Sequence, residues 1–197
     1  KLEEFKKYSS IPIINGLSPS SHPTQVLSDI FTIQEIKKKS ISKLKLCWIG
    51  DANNNMMNSL IEACIKFSVF LNIACPKNYQ PNKALISLIK KQKGKIKIFN
   101  KKEKAVKNSD VVMTDKIISL NDKVNKKKKL KSFKNFKVDT KTMNLAKKDA
   151  IFLHCLPRGN EVTEEVFLGK KSRVWQQALN RVYVQKSILL YCFGKLR

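Results

Sequence analysis

A chain of 197 residues that is 42% hydrophobic and 28% charged can bury a core as one ordinary domain, or as one domain with pieces of another. Its formal net charge of +25 invites a nucleic-acid partner, yet only four of the forty basic residues are arginine (Arg158, Arg173, Arg181, Arg197), and no aromatic-interleaved basic strand, zinc knuckle or helix-turn-helix pattern accompanies the lysines. No apolar run reaches the roughly 18 residues of a membrane span, and the five scattered cysteines, never in C-x-x-C spacing, argue against a disulfide framework or zinc site and for a reducing cytoplasm.

In chain order, Ile11–Gly16 is expected as a short strand and turn, followed by a Ser/Pro loop. Ser21–Lys39 reads as a helix. Pro23 suits its first turn, Val26, Leu27, Ile30, Ile33 and Ile36 recur at helical spacing, and three lysines suit its negative end. His22 reads either as a helix cap or as a donor to an anionic ligand. From Lys43 strands and helices alternate. Strands are expected over Leu44–Ile49, Val69–Cys75, Lys95–Phe99, Asp110–Thr114 and Ala150–Leu153, with helices after Asn55, over Pro81–Lys91, near Lys101–Lys107 and over Val138–Ala146. Ser119–Lys131 reads as a solvated, lysine-rich loop. Thr163–Phe167 is a short acidic helix start, Arg173–Trp175 a last short strand, and Gln176–Phe193 an amphipathic helix with Leu179, Val182, Ile188, Leu189 and Cys192 on its apolar face. Such alternation predicts an α/β fold: a parallel sheet with helices on both faces.

Three polar clusters then follow strands: Asp51 to Asn55, Asp115 to Ser119, and His154 to Arg158. Asp and Asn commonly cap turns and helices, and a cysteine such as Cys155 is commonly a small core residue. Parallel strands, however, place all three carboxyl ends on one edge, where open sheets bind ligands. The convergence points to a small, polar, zwitterionic ligand. No G-x-G-x-x-G or Walker loop indicates a dinucleotide or nucleoside triphosphate.

The stretches His22-Pro23-Thr24-Gln25, Gly50-Asp51-Ala52-Asn53-Asn54-Asn55-Met56, Thr114-Asp115 with Ser119, His154-Cys155-Leu156-Pro157 and Asn180-Arg181 occur in the order found in ornithine carbamoyltransferases, so the chain resembles the aspartate/ornithine carbamoyltransferase family. The aspartate enzymes carry proline where Cys155 stands. The resemblance implies a Rossmann-like ornithine-binding domain, and transfer of a carbamoyl group from carbamoyl phosphate to the δ-amine of ornithine without cofactor or metal. It implies that His22, Pro23, Thr24, Gln25, Cys155, Leu156 and Arg181 face carbamoyl phosphate. Asn55 (with Asn54 as neighbouring candidate), Asp115, Ser119 and Leu120 would face ornithine, and Cys155, Asp115 and Arg181 would carry the chemistry. A carboxylate and a thiolate beside the amine would assist loss of its proton, with Cys155 positioning and not attacking.

Departures from the family's pattern also stand in the sequence. Ser119 is followed by Leu120 and Asn121 where Met-Gly is usual, Ile117 replaces a tryptophan, and Leu179 an acid. The Ser-Thr-Arg-Thr phosphate loop of the amino-terminal domain is absent, so the chain is expected to be a fragment, inactive alone. Residues 1–39 would be the end of the carbamoyl-phosphate domain and a linking helix, 40–176 the ornithine-binding domain, and 177–197 a helix packing back on the first domain. A homotrimer is implied for the whole protein. A carbamoyltransferase for a related amine such as putrescine, and a basic α/β module binding nucleic acid, remain the alternatives.

Overall fold

The computed structural model describes residues 2–118 and 125–195. Helix α1 (Leu2–Tyr8) buries none of its residues, and the strand expected over Ile11–Gly16 does not form. Ile11 and Ile13 lie exposed with no neighbouring strand to satisfy their backbone, and only the turn remains, closed by Gly16 N–H to Ile14 O at 3.1 Å. Helix α2 (Pro23–Lys37) starts at the expected proline.

The alternating part follows the sequence pattern closely: β1 (Lys45–Ile49), α3 (Asn55–Lys66), β2 (Phe70–Ala74), α4 (Lys83–Lys91), β3 (Ile96–Phe99), α5 (Lys102–Val106) and β4 (Val111–Thr114). Asn54 and Asn82 cap α3 and α4 by accepting from Met57 N and Leu85 N, each meeting one of the helix-start N–H groups that lack an internal partner. Beyond residue 124 come α6 (Lys126–Ser132), α7 (Thr140–Leu145) capped by Asp139, β5 (Ile151–His154), α8 (Glu164–Phe167) and α9 (Val174–Cys192). The expected strand over Arg173–Trp175 is instead one bridge at Ser172 beside Phe152, after which the chain turns into α9.

Among the described residues the five strands are all parallel, in the order β3-β2-β1-β4-β5. The chain builds outward from β1 to β3, then returns to lay β4 and β5 on the other side of β1. The order therefore reverses between β1 and β4, which is where open sheets of this kind leave a crevice. Alternate strand residues face two cores. Leu46, Trp48, Leu71, Ile73, Met113 and Leu153 pack with α2, α3 and α4, whereas Cys47, Ile49, Val112 and Phe152 pack with residues of α5, α7 and α8. Helices thus cover both faces, as the α/β reading requires.

Helix α9 departs from the amphipathic expectation. Its buried residues are Val174, Gln177 and Asn180, while Leu179, Val182 and Leu189 remain about half exposed. It is seated on α2 by amides: Asn180 Nδ2 donates to Thr32 Oγ1 (3.0 Å) and Glu35 Oε2 (2.9 Å), and Gln177 Nε2 to Asp29 Oδ1 (2.7 Å). Among the described residues no helix is long and apolar enough to cross a membrane.

Candidate active site

The carboxyl ends of β1, β4 and β5 lie side by side and are drawn tightly together at their tips. Gly50 leaves β1 with φ 149°, a conformation glycine alone adopts freely, and a Cβ there would lie 3.3 Å from Thr114 Oγ1. That hydroxyl donates to Ile49 O, tying the end of β4 to the end of β1.

At the β1 end, Asp51 is buried and already committed. One carboxylate oxygen pairs with Lys129 Nζ at 2.6 Å and the other accepts from Asn53 N. Lys129 is therefore no solvated residue, although Lys126, Lys127, Lys128 and Lys131 around it are exposed. Helix geometry turns it inward with Phe133, four residues on, and its ammonium lies 5.6 Å from the Tyr79 ring centre. Asn54 is spent on its cap. Asn55, the other candidate, is partly exposed and donates to Ser18 O at 2.9 Å.

That bond helps stitch residues 18–22 against α3, where Asn58 Nδ2 also donates to Ser20 O and Ser59 Oγ accepts from His22 N. His22 thereby stands at the start of α2, but its side chain caps nothing and Nδ1 has no partner among the described residues. Burial chiefly, and then the Arg181 guanidinium, push its pKa below the usual histidine value, so the imidazole is neutral at pH 7. Thr24 donates to Gly16 O at 2.8 Å, fixing the approach to the helix.

At the β4 end, Asp115 accepts from Lys116 N at 2.7 Å. Burial drives its pKa up to about 6. The Lys116 bond and His154 oppose the rise, and the charges of Glu161 and Asp51 add to it. Ser119 and Leu120 lie outside the described residues, as does Asn121.

At the β5 end, His154 is buried, with Nε2 2.7 Å from Glu161 Oε1 and its N–H donating to Gln177 Oε1 at 3.0 Å. Cys155 is 8% exposed. Burial, with the carboxylates of Asp29 and Asp115, raises its pKa well above the ordinary thiol value, so the expected thiolate is not formed and the group is a neutral thiol. Leu156 is exposed, and Arg158 turns away to lie 4.9 Å over the Phe167 ring.

A cavity of about 300 Å³ is lined by Gln25, His154, Leu156, Gln177 and Arg181, bringing the start of α2, the end of β5 and α9 to one place. The resemblance did not single out Gln177, Glu161, Asp29 or Lys129. The signal available for Gln177 was its place four residues before Arg181, hence on the same helical face. No group of three or more His, Cys, Asp or Glu side chains among the described residues is placed to hold a metal ion.

Comparison with known proteins gives the family. The family model for the Asp/Orn binding domain of aspartate/ornithine carbamoyltransferase matches residues 42–192, and that for the carbamoyl-P binding domain matches residues 1–35. An ornithine carbamoyltransferase of Caldicellulosiruptor saccharolyticus is 44% identical over 204 residues, covering 100% of this chain and 65% of the relative. That of Staphylothermus marinus is 42% identical, covering 96% and 62%. The crystal structure of the anabolic ornithine carbamoyltransferase of Campylobacter jejuni aligns with TM-score 0.91 at 41% identity, covering 98% of this chain and 66% of that one. The ornithine carbamoyltransferase of Pyrococcus furiosus aligns at 0.89 and 37%, covering 100% and 64%. The chain spans 62–65% of the length of the curated relatives it matches. With its sheet order, its convergent strand ends and a match over most of its length, the chain belongs to the aspartate/ornithine carbamoyltransferase family.

Proposed function

We propose that the protein carrying this chain transfers the carbamoyl group of carbamoyl phosphate to the δ-amine of ornithine, giving citrulline and phosphate. The observation that supports this most is the division of one sheet edge into two chemically distinct sides. One side has a carboxyl of raised pKa, Asp115. The other has a cavity lined by a helix start, a guanidinium and neutral amides.

On the phosphate side, Arg181, His22 and Gln25 hold the carbonyl and phosphate of carbamoyl phosphate, with Thr24 in the first turn of α2 offering a free N–H group and Pro23, which has none, setting that turn. Cys155 and the backbone at Leu156 sit beside the carbamoyl group. On the amine side, Asp115 binds the amino groups of ornithine, Asn55 its carboxylate, and Ser119 and Leu120 complete the contact. The δ-amine must be neutral to attack. A carboxyl with pKa near 6 is better matched to taking or guiding its proton than an ordinary aspartate. The thiol of Cys155, being neutral, serves to position. Charge developing on the carbonyl oxygen and the departing phosphate is met by fixed donors and Arg181.

In the same reading residues 1–39 end a carbamoyl-phosphate domain, 40–176 form the ornithine-binding domain, and 177–197 pack back on the first. The whole protein is a cytoplasmic homotrimer serving arginine metabolism. The test is citrulline formation by the whole protein from carbamoyl phosphate and a panel of amines. Turnover with ornithine far above that with putrescine supports the assignment, turnover mainly with putrescine replaces the substrate, and no turnover with any amine rejects it.

A further inference from the structure

Asp29, in the middle of α2, is 1% exposed, and no ion pair joins it among the described residues. Burying a lone carboxyl is costly, so a carboxyl kept there is held by specific partners. Its Oδ1 accepts two bonds, from Gln25 Nε2 at 2.8 Å and from Gln177 Nε2 at 2.7 Å, while Oδ2 has no partner among the described residues. These two donors come from different helices, and both glutamines line the same cavity as Arg181.

A glutamine side chain has a donor end and an acceptor end of nearly the same shape, so its direction is fixed only by what it faces. An ionised carboxylate can only accept. Facing Asp29, both amides must turn their NH2 ends inward and their carbonyls away. For Gln177 the consequence is visible: its carbonyl accepts the backbone N–H of His154, the residue before Cys155. For Gln25 the carbonyl is kept off Asp29 at the mouth of α2. We propose that Asp29 is a positioning residue for the carbamoyl-phosphate side of the site, setting the polarity of Gln25 and Gln177 and, through Gln177, fixing the backbone at His154 and Cys155. The inference rests on the proposed function for the identity of the ligand, but its geometry concerns this chain alone.

Asp29→Leu removes the acceptor and keeps the branched shape with the same number of heavy atoms, whereas Asp29→Asn keeps an acceptor in the same place. Two readouts on the whole protein separate the possibilities: the Michaelis constants for carbamoyl phosphate and ornithine, and hydrogen exchange at the His154 amide, which needs no substrate. Asp29→Leu is expected to raise the carbamoyl-phosphate constant about tenfold or more, move the ornithine constant less than about threefold, and speed His154 exchange at least tenfold. Asp29→Asn is expected to stay within about threefold of the parent in all three. Should the leucine variant not fold, as its thermal midpoint would reveal, Gln177→Leu takes its place, and a raised carbamoyl-phosphate constant there upholds the role. A folded Asp29→Leu with unchanged constants and unchanged exchange overturns it, as does Asp29→Asn losing as much as leucine. Faster His154 exchange in Asp29→Leu, in a protein that binds no carbamoyl phosphate, would uphold the geometry and reject the ligand.

Discussion

Burial decides the protonation of the candidate residues, and it acts on each in the direction that disfavours charge. His22 is kept neutral, Cys155 is kept a thiol, and Asp115 is raised to about 6. The sign for Asp115 follows from the acid form being favoured: ionised above about pH 6, it loses charge, and with it an ammonium partner, as pH falls through that value. Ornithine keeps both amino groups protonated across that range, so its own charge is constant there. The dissociation constant of ornithine, measured calorimetrically on the whole protein, is therefore expected to be flat above about pH 6 and to rise toward roughly tenfold per unit below it. Asp115→Asn should abolish the slope. A profile flat through pH 6 would remove Asp115 from the amine side.

Among the elements, the strands and the helices packed directly on them were legible because their apolar periods match their burial. The carboxyl ends of β1, β4 and β5 were expected on one edge and lie there. Besides the Arg173–Trp175 run, which is a single bridge and not a strand, three elements differ from expectation for reasons that can be named. The Ile11–Gly16 run had strand composition but no strand to pair with. Helix α9 buries Gln177 and Asn180, whose partners Asp29, Thr32 and Glu35 lie far away in sequence. Helix α6 hides Lys129 within a lysine run, and only the buried acid at Asp51, 78 positions earlier, explains why one lysine of four points inward. Removing that ammonium leaves Asp51 buried without its counter-ion, which typically costs about 3–5 kcal/mol. Lys129→Met is accordingly expected to lower unfolding free energy by about 3 kcal/mol in denaturant titrations, and Lys127→Met by less than about 0.5 kcal/mol. Equal effects would mean the pair contributes nothing specific.

For the whole molecule, the lysine excess is spread over exposed positions while the residues that converge are mostly neutral or acidic, so topology and not net charge marks the candidate site. The order β3-β2-β1-β4-β5 puts the reversal between β1 and β4, and the candidate residues Asp51, Asp115 and His154 follow the strands there and at β5. Family membership rests on sequence and fold together, whereas the division of that edge into an amine side and a phosphate side rests on the chemistry of Asp115, Arg181, His22 and Gln25. The most direct test of that division is steady-state kinetics of the whole protein with Asp115→Asn, varying each substrate in turn. The Michaelis constant for ornithine is expected to rise by roughly tenfold to a hundredfold, the loss of one charge-assisted bond, with the constant for carbamoyl phosphate changed less than about threefold. Equal losses for both substrates would contradict that division.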